Sequence, residues 1–335
     1  MGKSVVLNAL PHSSGKYYSE QFRRDHEIRF NHYKATMTKD QLIKEIKDVD
    51  AVVAAGEPYT REVYEAAKKL KIIARYGVGY DRVDIPEATK YGIFVTNQPG
   101  VNSETVAEHA VALIFALARG LVGSVKSTIP ETWEKIQYAY YSDKVGFELH
   151  GKNLGIIGLG SIGSKVAKIC SSLNMKIFAF DPYVREENDM QLGVKLTSLE
   201  ELLKESDVVT IHTPLNNDTR HLIGEKQLKM MKKTAILVNA ARGPIIDEKA
   251  LYVALKEKWI AAAGLDVLEM EPPEPNNPLF GLDNAIITPH LAGSSSDNFM
   301  RSDALTEEQI KQALRGEVPK FALNPDAIKN RKKQY

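Results

Sequence analysis

Short apolar runs alternate with stretches of helical periodicity along almost the whole chain. In the first third, four such runs have the length and composition of buried strands: residues 4–7, 50–54, 71–75 and 93–96. The segments between them, such as residues 60–70, space apolar side chains three and four positions apart, as amphipathic helices do. Strands that alternate with helices favour an α/β fold built on parallel sheets.

A long and mostly apolar helix follows this first region. It is predicted to begin at Asn102 or Ser103, either of which can cap it, and to end at Gly120. Beyond it, six strand-like runs with helical crossovers extend to His290, as a doubly wound sheet requires. The chain then returns to a helical pattern and closes in an extended tail, which we expect to cover the first sheet.

These patterns predict two domains, each a parallel sheet flanked by helices. Residues 102–296 would form the larger domain, a doubly wound sheet of the Rossmann type. Residues 1–101 and 297–335 would form the smaller, discontinuous domain, with a flavodoxin-like sheet.

The composition excludes several classes of function. The 335 residues contain 44 Lys and Arg against 43 Asp and Glu, so the net charge of +1 favours neither nucleic acid nor an anionic membrane as a partner. The single cysteine, Cys170, cannot form an internal disulfide and is predicted to be a small core residue. No apolar run reaches the length of a membrane span, and the N-terminus lacks the apolar core of a secretory signal. We therefore expect a cytoplasmic protein.

A glycine-rich turn carries Gly158, Gly160 and Gly163 in the spacing G-x-G-x-x-G. An apolar strand precedes it and a helix follows it, which is the setting of a dinucleotide-binding fingerprint. Gly158 permits a tight turn, Gly160 lets amides approach a pyrophosphate, and Gly163 lets helix and strand pack closely. The next strand ends at Asp181, near the spacing of about 20 residues expected for a ribose-binding acid. Its charge would repel a 2′-phosphate and favours NAD over NADP. The alternative is a glycine-rich turn with a surface aspartate.

Three successive strands of the larger domain end in ionisable residues. Arg242 follows the first strand, and His290 follows the third. The second strand is followed by three acids, Asp266, Glu269 and Glu271. Ligands of open α/β sheets bind beyond the carboxyl ends of the strands, so these groups would meet at one edge. Each has a structural alternative: a salt bridge at a strand end, an exposed loop residue, or a histidine bonded to the backbone.

The three residue types suit hydride transfer to a 2-oxo acid, which builds negative charge on the carbonyl oxygen. A protonated imidazole can donate to that oxygen, and a nearby carboxylate fixes the tautomer of the ring. An arginine can bind the substrate carboxylate through two parallel hydrogen bonds. From the residues alone, Glu269 and Glu271 remain equal candidates for the carboxylate.

The chain resembles the D-isomer-specific 2-hydroxyacid dehydrogenases. The resemblance runs nearly end to end and includes "RYGVGYDRVDI", "GIIGLGSIG", "VNAARGPIIDEKAL", "GLDVLEMEPP" and "ITPHLAG". It implies an NAD-dependent homodimer that interconverts small 2-oxo acids and D-2-hydroxy acids, with no metal. It also implies His290 as the proton donor and acceptor, Glu271 as its carboxylate partner, and Arg242 as the substrate clamp.

The family pattern implies further contacts, and it assigns them to backbone and side chains of both domains. The contacts to the pyrophosphate and the ribose would come from Ser161, Ile162 and Asp181. The contacts on the adenosine side would come from Thr213, Pro214 and Thr219. The contacts near the nicotinamide would come from Ala240, Ala241, Arg242, Asp266, His290 and Gly293. Those to the substrate carboxylate would come from Tyr76, Gly77, Val78 and Gly79, together with Arg242.

The substrate is predicted to be small and unphosphorylated. Many relatives that act on phosphorylated substrates carry Arg-Ser where this chain has Ala54-Ala55, and Glu57 nearby would repel a phosphate. Residues 138–144 could still supply a donor, so a D-3-phosphoglycerate dehydrogenase remains an alternative within the family. A second alternative is an NAD-binding regulatory scaffold resembling the corepressor relatives, which the short extensions at both ends disfavour. A formate-dehydrogenase-like enzyme is disfavoured because such members lack the carboxylate at Glu271.

Overall fold

The chain divides into two compact units in a computed structural model. The structure describes residues 2–331 except 12, 14, 143–145 and 185–192, and it leaves the side chains of residues 140–142 undescribed. In the possible donor segment, residues 138–144, the side chains of residues 140–144 therefore lie outside the described part of the chain. Unit 1 comprises Met1–Asn102 and Ser295–Tyr335, and unit 2 comprises Ser103–Ser294. Both are parallel sheets flanked by helices, which confirms the predicted fold class.

Unit 1 is built on a five-stranded sheet with the order β2-β1-β3-β4-β5. Its strands are β1 Ser4–Asn8, β2 His26–Phe30, β3 Ala51–Ala54, β4 Ile72–Arg75 and β5 Phe94–Thr96. All neighbouring strands pair in parallel, and this order is that of flavodoxin-like sheets.

The edge strand β2 was not predicted. Only Ile28 and Phe30 are apolar in its sequence, while Arg29 pairs with Glu27 and Asp48 on the exposed side. A half-exposed edge strand needs no continuous apolar run, so periodicity did not reveal it.

The helices of unit 1 lie on both faces of its sheet. They are α1 Glu20–Asp25, α2 Lys39–Glu45, α3 Arg61–Ala66, α4 Ile85–Lys90, α12 Ser296–Leu314 and α13 Ala327–Arg331. Helix α3 is shorter than predicted, because the N–H of Lys71 already bonds to Asp50 and residues 67–70 are needed for the turn. The C-terminal tail lies in unit 1, as expected, and bridges Thr96 through Ala322. It is not extended throughout, since it ends in α13.

Unit 2 is built on a seven-stranded parallel sheet with the order β12-β11-β10-β9-β6-β7-β8. Its strands are β6 Asn153–Ile157, β7 Lys176–Phe180, β8 Val194–Leu196, β9 Val208–Ile211, β10 Ile236–Asn239, β11 Ala262–Leu265 and β12 Ala285–Ile287. The order reverses between β6 and β9, which is the switch point of a doubly wound Rossmann sheet. The six predicted strands are present, and the edge strand β8 was missed because its sequence, Val-Lys-Leu, has a charged residue in the middle and no continuous apolar run.

The helices of unit 2 are α5 Ser103–Ala118, α6 Leu121–Ser127, α7 Trp133–Ser142, α8 Ser161–Ser171, α9 Leu199–Glu205, α10 Glu225–Met230 and α11 Glu248–Lys256. The predicted side-chain cap of α5 is wrong: Asn102 Oδ1 and Ser103 Oγ are buried and have no hydrogen-bond partner among the described residues. Cys170 is fully buried in the core of unit 2, which confirms its predicted packing role.

Within the described part of the chain, no single helix is long and apolar enough to cross a membrane. Helices α5 and α6 reach that length and apolar composition only when taken together, and their axes are bent by 64° relative to each other.

Candidate functional site

The glycine turn after β6 lies at the switch point of unit 2. A Cβ atom on Gly158, whose φ is +93°, would lie 2.7 Å from the backbone nitrogen of Thr213. A Cβ atom on Gly163 would lie 2.1 Å from the carbonyl oxygen of Gly158. At Gly160 nothing lies within 4 Å of that position. The packing of the protein itself thus requires the first and third glycines, whereas the second borders open space where a ligand fits.

Helix α8 begins at this turn without a side-chain cap on its N-cap residue Gly160. In the described part of the chain, no acceptor is bonded to the backbone N–H groups of Ser161 and Ile162. Unbonded amides at a helix N-terminus, together with the helix dipole, suit a phosphate group.

Asp181 follows β7 and is held beside the glycine turn. Its Oδ2 accepts a hydrogen bond of 2.8 Å from the N–H of Leu159, and its Oδ1 accepts one of 2.9 Å from Tyr183. Each oxygen keeps a lone pair, so the carboxylate can also accept from ribose hydroxyls. The glycine turn, the helix terminus and this acid together fit NAD.

Thr213, Pro214 and Thr219 lie in the loop after β9, next to the glycine turn. The hydroxyl of Thr219 donates to Pro214 O at 2.7 Å and accepts from the N–H of Asn216 at 2.8 Å. This hydroxyl therefore closes the loop, and Thr219 fixes the position of Pro214 within it.

His290 and Glu271 form a close pair at the end of β12. Nδ1 of His290 lies 2.6 Å from Oε2 of Glu271, and Oε1 of Glu271 accepts from the N–H of Leu268 at 3.0 Å. Nε2 of His290 has no hydrogen-bond partner among the described residues, and its side chain is 51% exposed. The free ring nitrogen is thus available to a substrate.

The charge state of Glu271 follows from its surroundings. Burial by itself would raise the pKa of this carboxyl, whereas the hydrogen bond and charge of His290 lower it. The Leu268 N–H and the charge of Arg242 act in the same direction, so the pKa of Glu271 lies below its ordinary value. The carboxylate remains ionised beside the ring at neutral pH.

Asp266 holds the loop that carries His290. It is 1% exposed, and its backbone oxygen accepts from the N–H of His290 at 2.8 Å. Its carboxylate accepts from the N–H groups of Leu291 and Ala292 at 3.0 and 2.8 Å. These bonds stabilise the left-handed backbone of His290, whose φ is +52°. Asp266 is therefore committed to the loop itself.

Two residues that the sequence analysis missed extend this network. The hydroxyl of Thr288 donates to Asp266 Oδ1 at 2.6 Å, and Nε2 of His109 on α5 lies 3.1 Å from the same hydroxyl oxygen. Because the hydroxyl proton is used on Asp266, the ring nitrogen of His109 is the donor. The available signal was a histidine within a mostly apolar helix.

Arg242 follows β10 and lies next to the loop of Glu271. Its Nη1 donates to Ala241 O at 2.7 Å, and Asn239 Nδ2 donates to the carbonyl of Arg242 at 2.9 Å. A Cβ atom on Gly243 would lie 1.9 Å from Leu268 O, so the two loops are in direct backbone contact. Arg242, Glu271 and His290 are thus brought to one edge of the unit 2 sheet.

A small apolar cluster lies at the same edge. It consists of Val106, Ala240 and Ala292, with Ile162 packed against it, and it is continuous with the loop of Gly293. Such a surface suits a flat, uncharged ring.

In unit 1, the segment Tyr76–Gly79 follows β4. The N–H of Tyr76 donates to Ala54 O at 2.9 Å, and the N–H of Gly77 donates to Gln98 Oε1 at 3.1 Å. The backbone N–H groups of Val78 and Gly79 have no acceptor in the described part of the chain. Of the four predicted substrate contacts, two backbone donors therefore remain available for a ligand.

The expected role of Glu57 is wrong. This residue is 0% exposed, and its Oε2 turns back to accept from the N–H of Ala55 at 2.8 Å. Burial raises the pKa of its carboxyl above the ordinary value. Its charge closes the turn after β3 and does not face a ligand at this edge.

The fold and the site define an NAD-dependent dehydrogenase, and comparison with known proteins identifies its family. Residues 111–292 match the family model described as "D-isomer specific 2-hydroxyacid dehydrogenase, NAD binding domain". The chain belongs to the D-isomer-specific 2-hydroxyacid dehydrogenase family, which confirms the resemblance, the reaction class and the cofactor class.

Several relatives span most of the chain. It is 44% identical to a glyoxylate reductase of Korarchaeum cryptofilum over 89% of each chain. It is 45% identical to a D-3-phosphoglycerate dehydrogenase of Methanocaldococcus jannaschii over 88% of this chain and 56% of that protein. Among solved structures, D-lactate dehydrogenase of Aquifex aeolicus, complexed with NAD and lactic acid, is similar with a TM-score of 0.81 and 30% identity. That match covers 97% of this chain and 98% of the other.

Proposed function

We propose that this enzyme reduces a small, unphosphorylated 2-oxo acid, such as glyoxylate, to its 2-hydroxy acid, with His290 as the proton donor. The observation that supports this most strongly is the 2.6 Å contact between His290 Nδ1 and Glu271 Oε2. It directs the unpartnered Nε2 away from the carboxylate, so the imidazole has one fixed nitrogen and one free nitrogen for the substrate.

Each member of the site has a defined task in the reaction. NADH, when bound, supplies the hydride. His290 donates its Nε2 proton to the developing alkoxide, and Glu271 stabilises the protonated ring before that transfer. In the oxidative direction, the same nitrogen accepts the proton. Arg242 carries a permanent positive charge and suits the substrate carboxylate.

The two units have separate tasks in this proposal. Unit 2 binds the cofactor through the glycine turn, α8 and Asp181, and unit 1 is the substrate-binding domain. In unit 1, the Val78 and Gly79 amides are the donors for a carboxylate, because the Tyr76 and Gly77 amides are already bonded.

The preference for an unphosphorylated acid is based on the turn after β3. Ala55 and Gly56 are partly exposed there, and neither offers a cation or a side-chain donor to a phosphate. Glu57 no longer supports this preference, because it is buried.

A substrate panel tests this proposal. We expect kcat/KM with NADH to be highest for glyoxylate or hydroxypyruvate, lower for pyruvate, and at least tenfold lower for 3-phosphohydroxypyruvate. A tenfold advantage for the phosphorylated compound, about 1.4 kcal/mol in transition-state binding, would favour the D-3-phosphoglycerate alternative. No turnover with any 2-oxo acid, while NADH still binds, would favour the regulatory scaffold.

We also infer a homodimer that works in the cytoplasm. Unit 2 exposes large apolar side chains along α6 and the segment after it: Leu121 is 49% exposed, Val125 75%, Ile129 52% and Trp133 61%. Exposed large apolar side chains spaced four residues apart are typical of a helix that packs in a protein–protein interface. Sedimentation velocity should give twice the mass of the chain, and Val125→Glu should shift it toward the monomer. A wild-type monomer at micromolar concentration would contradict the dimer.

A further inference from the structure

Unit 2 contains a second histidine–glutamate pair beside the first one. Nε2 of His221 lies 2.7 Å from Oε1 of Glu269, the glutamate two positions before Glu271. Because an ionised carboxylate only accepts hydrogen bonds, the ring of His221 donates through Nε2. The loop after β11 therefore directs its two glutamates to two different histidines, Glu271 to His290 and Glu269 to His221.

The backbone of His221 is attached to the loop that carries Arg242. Its N–H donates to Pro244 O at 2.8 Å, and the N–H of Ile223 donates to Ile245 O at 3.1 Å. The φ of His221 is +51°, in the left-handed region that non-glycine residues adopt rarely. The backbone bonds and the ring contact together hold this conformation and fix the direction of the ring.

Glu269 is attached at a third point, the first residue of α11. The N–H of Glu269 donates to Glu248 Oε2 at 2.8 Å, and the N–H of Glu248 lies 3.4 Å from Glu269 Oε2. Two carboxylates thus share a small region, and their like charges oppose this arrangement. The donor from His221 offsets that repulsion and keeps the Glu269 carboxylate in its position.

These contacts place His221 between the two loops that carry the catalytic groups. Its backbone holds the turn after Arg242, and its ring holds the segment Leu268–Glu271 through Glu269. We propose that His221 is a positioning residue, which fixes Glu271, and through it His290, relative to Arg242. The inference rests on the proposed roles of Glu271 and His290.

The solvent exposure of the His221–Glu269 pair distinguishes a positioning role from a role in the stability of the fold. The side chains of His221 and Glu269 are 42% and 33% exposed. An ion pair so exposed contributes little to the free energy of unfolding. Loss of the ring should therefore lower activity with little change in thermal stability.

The test is the variant His221→Gly, because glycine keeps the left-handed backbone without strain and removes only the ring. We expect kcat/KM for glyoxylate to fall about tenfold, as misplacement of a catalytic group does. The Kd of NADH should change less than twofold. His221→Gln, whose amide can donate to Glu269, should recover activity to within threefold of the wild type. Lys258→Gly replaces another left-handed residue of unit 2, with φ of +56°, and should leave activity unchanged.

A double-mutant cycle with Glu271→Gln shows whether the loss of activity in His221→Gly is transmitted through Glu271. If His221 acts through Glu271, then His221→Gly should cost less than twofold in the Glu271→Gln background. Full activity of His221→Gly, an equal tenfold loss in both backgrounds, or failure of His221→Gln to restore activity would each overturn the inference. If Glu271→Gln alone had no effect, the proposed function of Glu271 would fail instead. Should His221→Gly not fold, Glu269→Ala removes the acceptor of the His221 ring and applies the same test from the other partner.

Discussion

The carboxyl edges of the two sheets offer different chemistry. In unit 2, strands β10, β11 and β12 lead to charged or titratable side chains, Arg242, Glu271 and His290. Glu271 and His290 contact each other across two loops, and Arg242 donates to Ala241 O in its own loop. In unit 1, the polar side chains near β4 and β5 are used internally. Tyr76 donates to Asp303 at 2.9 Å, and Gln98 bonds to Gly77, Ser302 and Thr306. The donors left for a ligand in the Tyr76–Gly79 segment are backbone amides.

Under the proposed function, this difference assigns proton transfer to unit 2 and recognition of the substrate carboxylate to unit 1. Proton transfer needs a group that titrates near neutral pH, and only side chains supply one. Recognition of a carboxylate needs fixed donors, and backbone amides held by a rigid turn supply these without a titrating charge. A substitution at the edge of unit 2 should therefore change kcat, whereas a substitution behind the edge of unit 1 should change mainly KM.

The largest effect is expected at His290. His290→Ala should lower kcat by about 10² to 10⁴-fold, the range for a general acid–base group. The Kd of NADH, measured by fluorescence titration, should stay within twofold. His32→Ala, an exposed histidine of unit 1, is the matched control and should retain full activity. Near-normal turnover of His290→Ala would show that His290 is not the proton donor. The proposed contrast between the two sheet edges would then be wrong.

The single cysteine gives a probe of unit 2 alone. Burial raises the pKa of Cys170 to about 12, so at pH 8 the folded thiol is neutral and should react only when unit 2 opens. A ligand at 100 times its Kd stabilises the bound unit by about 2.7 kcal/mol. NADH at that concentration should slow labelling by a disulfide reagent about 100-fold. A labelling rate that does not respond to NADH would contradict a cofactor site in unit 2.

The features that depend on spacing along the chain could be predicted from the sequence. The glycine fingerprint, Asp181 and the three strand-end groups occur at intervals set by strands and crossovers, so their common edge could be predicted. The strands β2 and β8 could not be predicted, because charged residues interrupt the apolar positions of both edge strands. Their omission did not affect the switch point, which lies in the middle of each sheet.

Other features depend on the directions of side chains, which the spacing of residues along the chain does not specify. Glu269 and Glu271 are two positions apart in an irregular loop, and only the three-dimensional structure shows that one contacts His221 and the other His290. Glu57 is a charged residue after a strand, which typically faces solvent, yet its carboxylate folds back on Ala55. Which amides of Tyr76–Gly79 remain free depends on Gln98, about 20 residues away in the sequence.

A smaller effect is expected at Asp181, which tests the cofactor side of unit 2. Asp181→Asn keeps an oxygen that can accept from Leu159 and removes the charge that repels a 2′-phosphate. The ratio of kcat/KM for NADH to that for NADPH should fall about tenfold, which corresponds to about 1.4 kcal/mol. The wild type should prefer NADH. Equal or better use of NADPH by the wild type would contradict the assignment of Asp181 to the ribose.

The smallest effect is expected in unit 1, at Gln98, which is fully buried. Gln98→Met keeps the volume and removes the acceptor of the Gly77 N–H and the donors to Ser302 and Thr306. Buried groups left without partners cost about 1–3 kcal/mol, so the urea midpoint should fall. The Val78 and Gly79 amides should then lose their fixed orientation. KM for the 2-oxo acid should rise about three- to fivefold while kcat changes less than twofold, since the proposed acid–base pair in unit 2 is untouched. A fall in kcat of tenfold with an unchanged KM would show that unit 1 takes part in proton transfer, and the division between the two edges would be wrong.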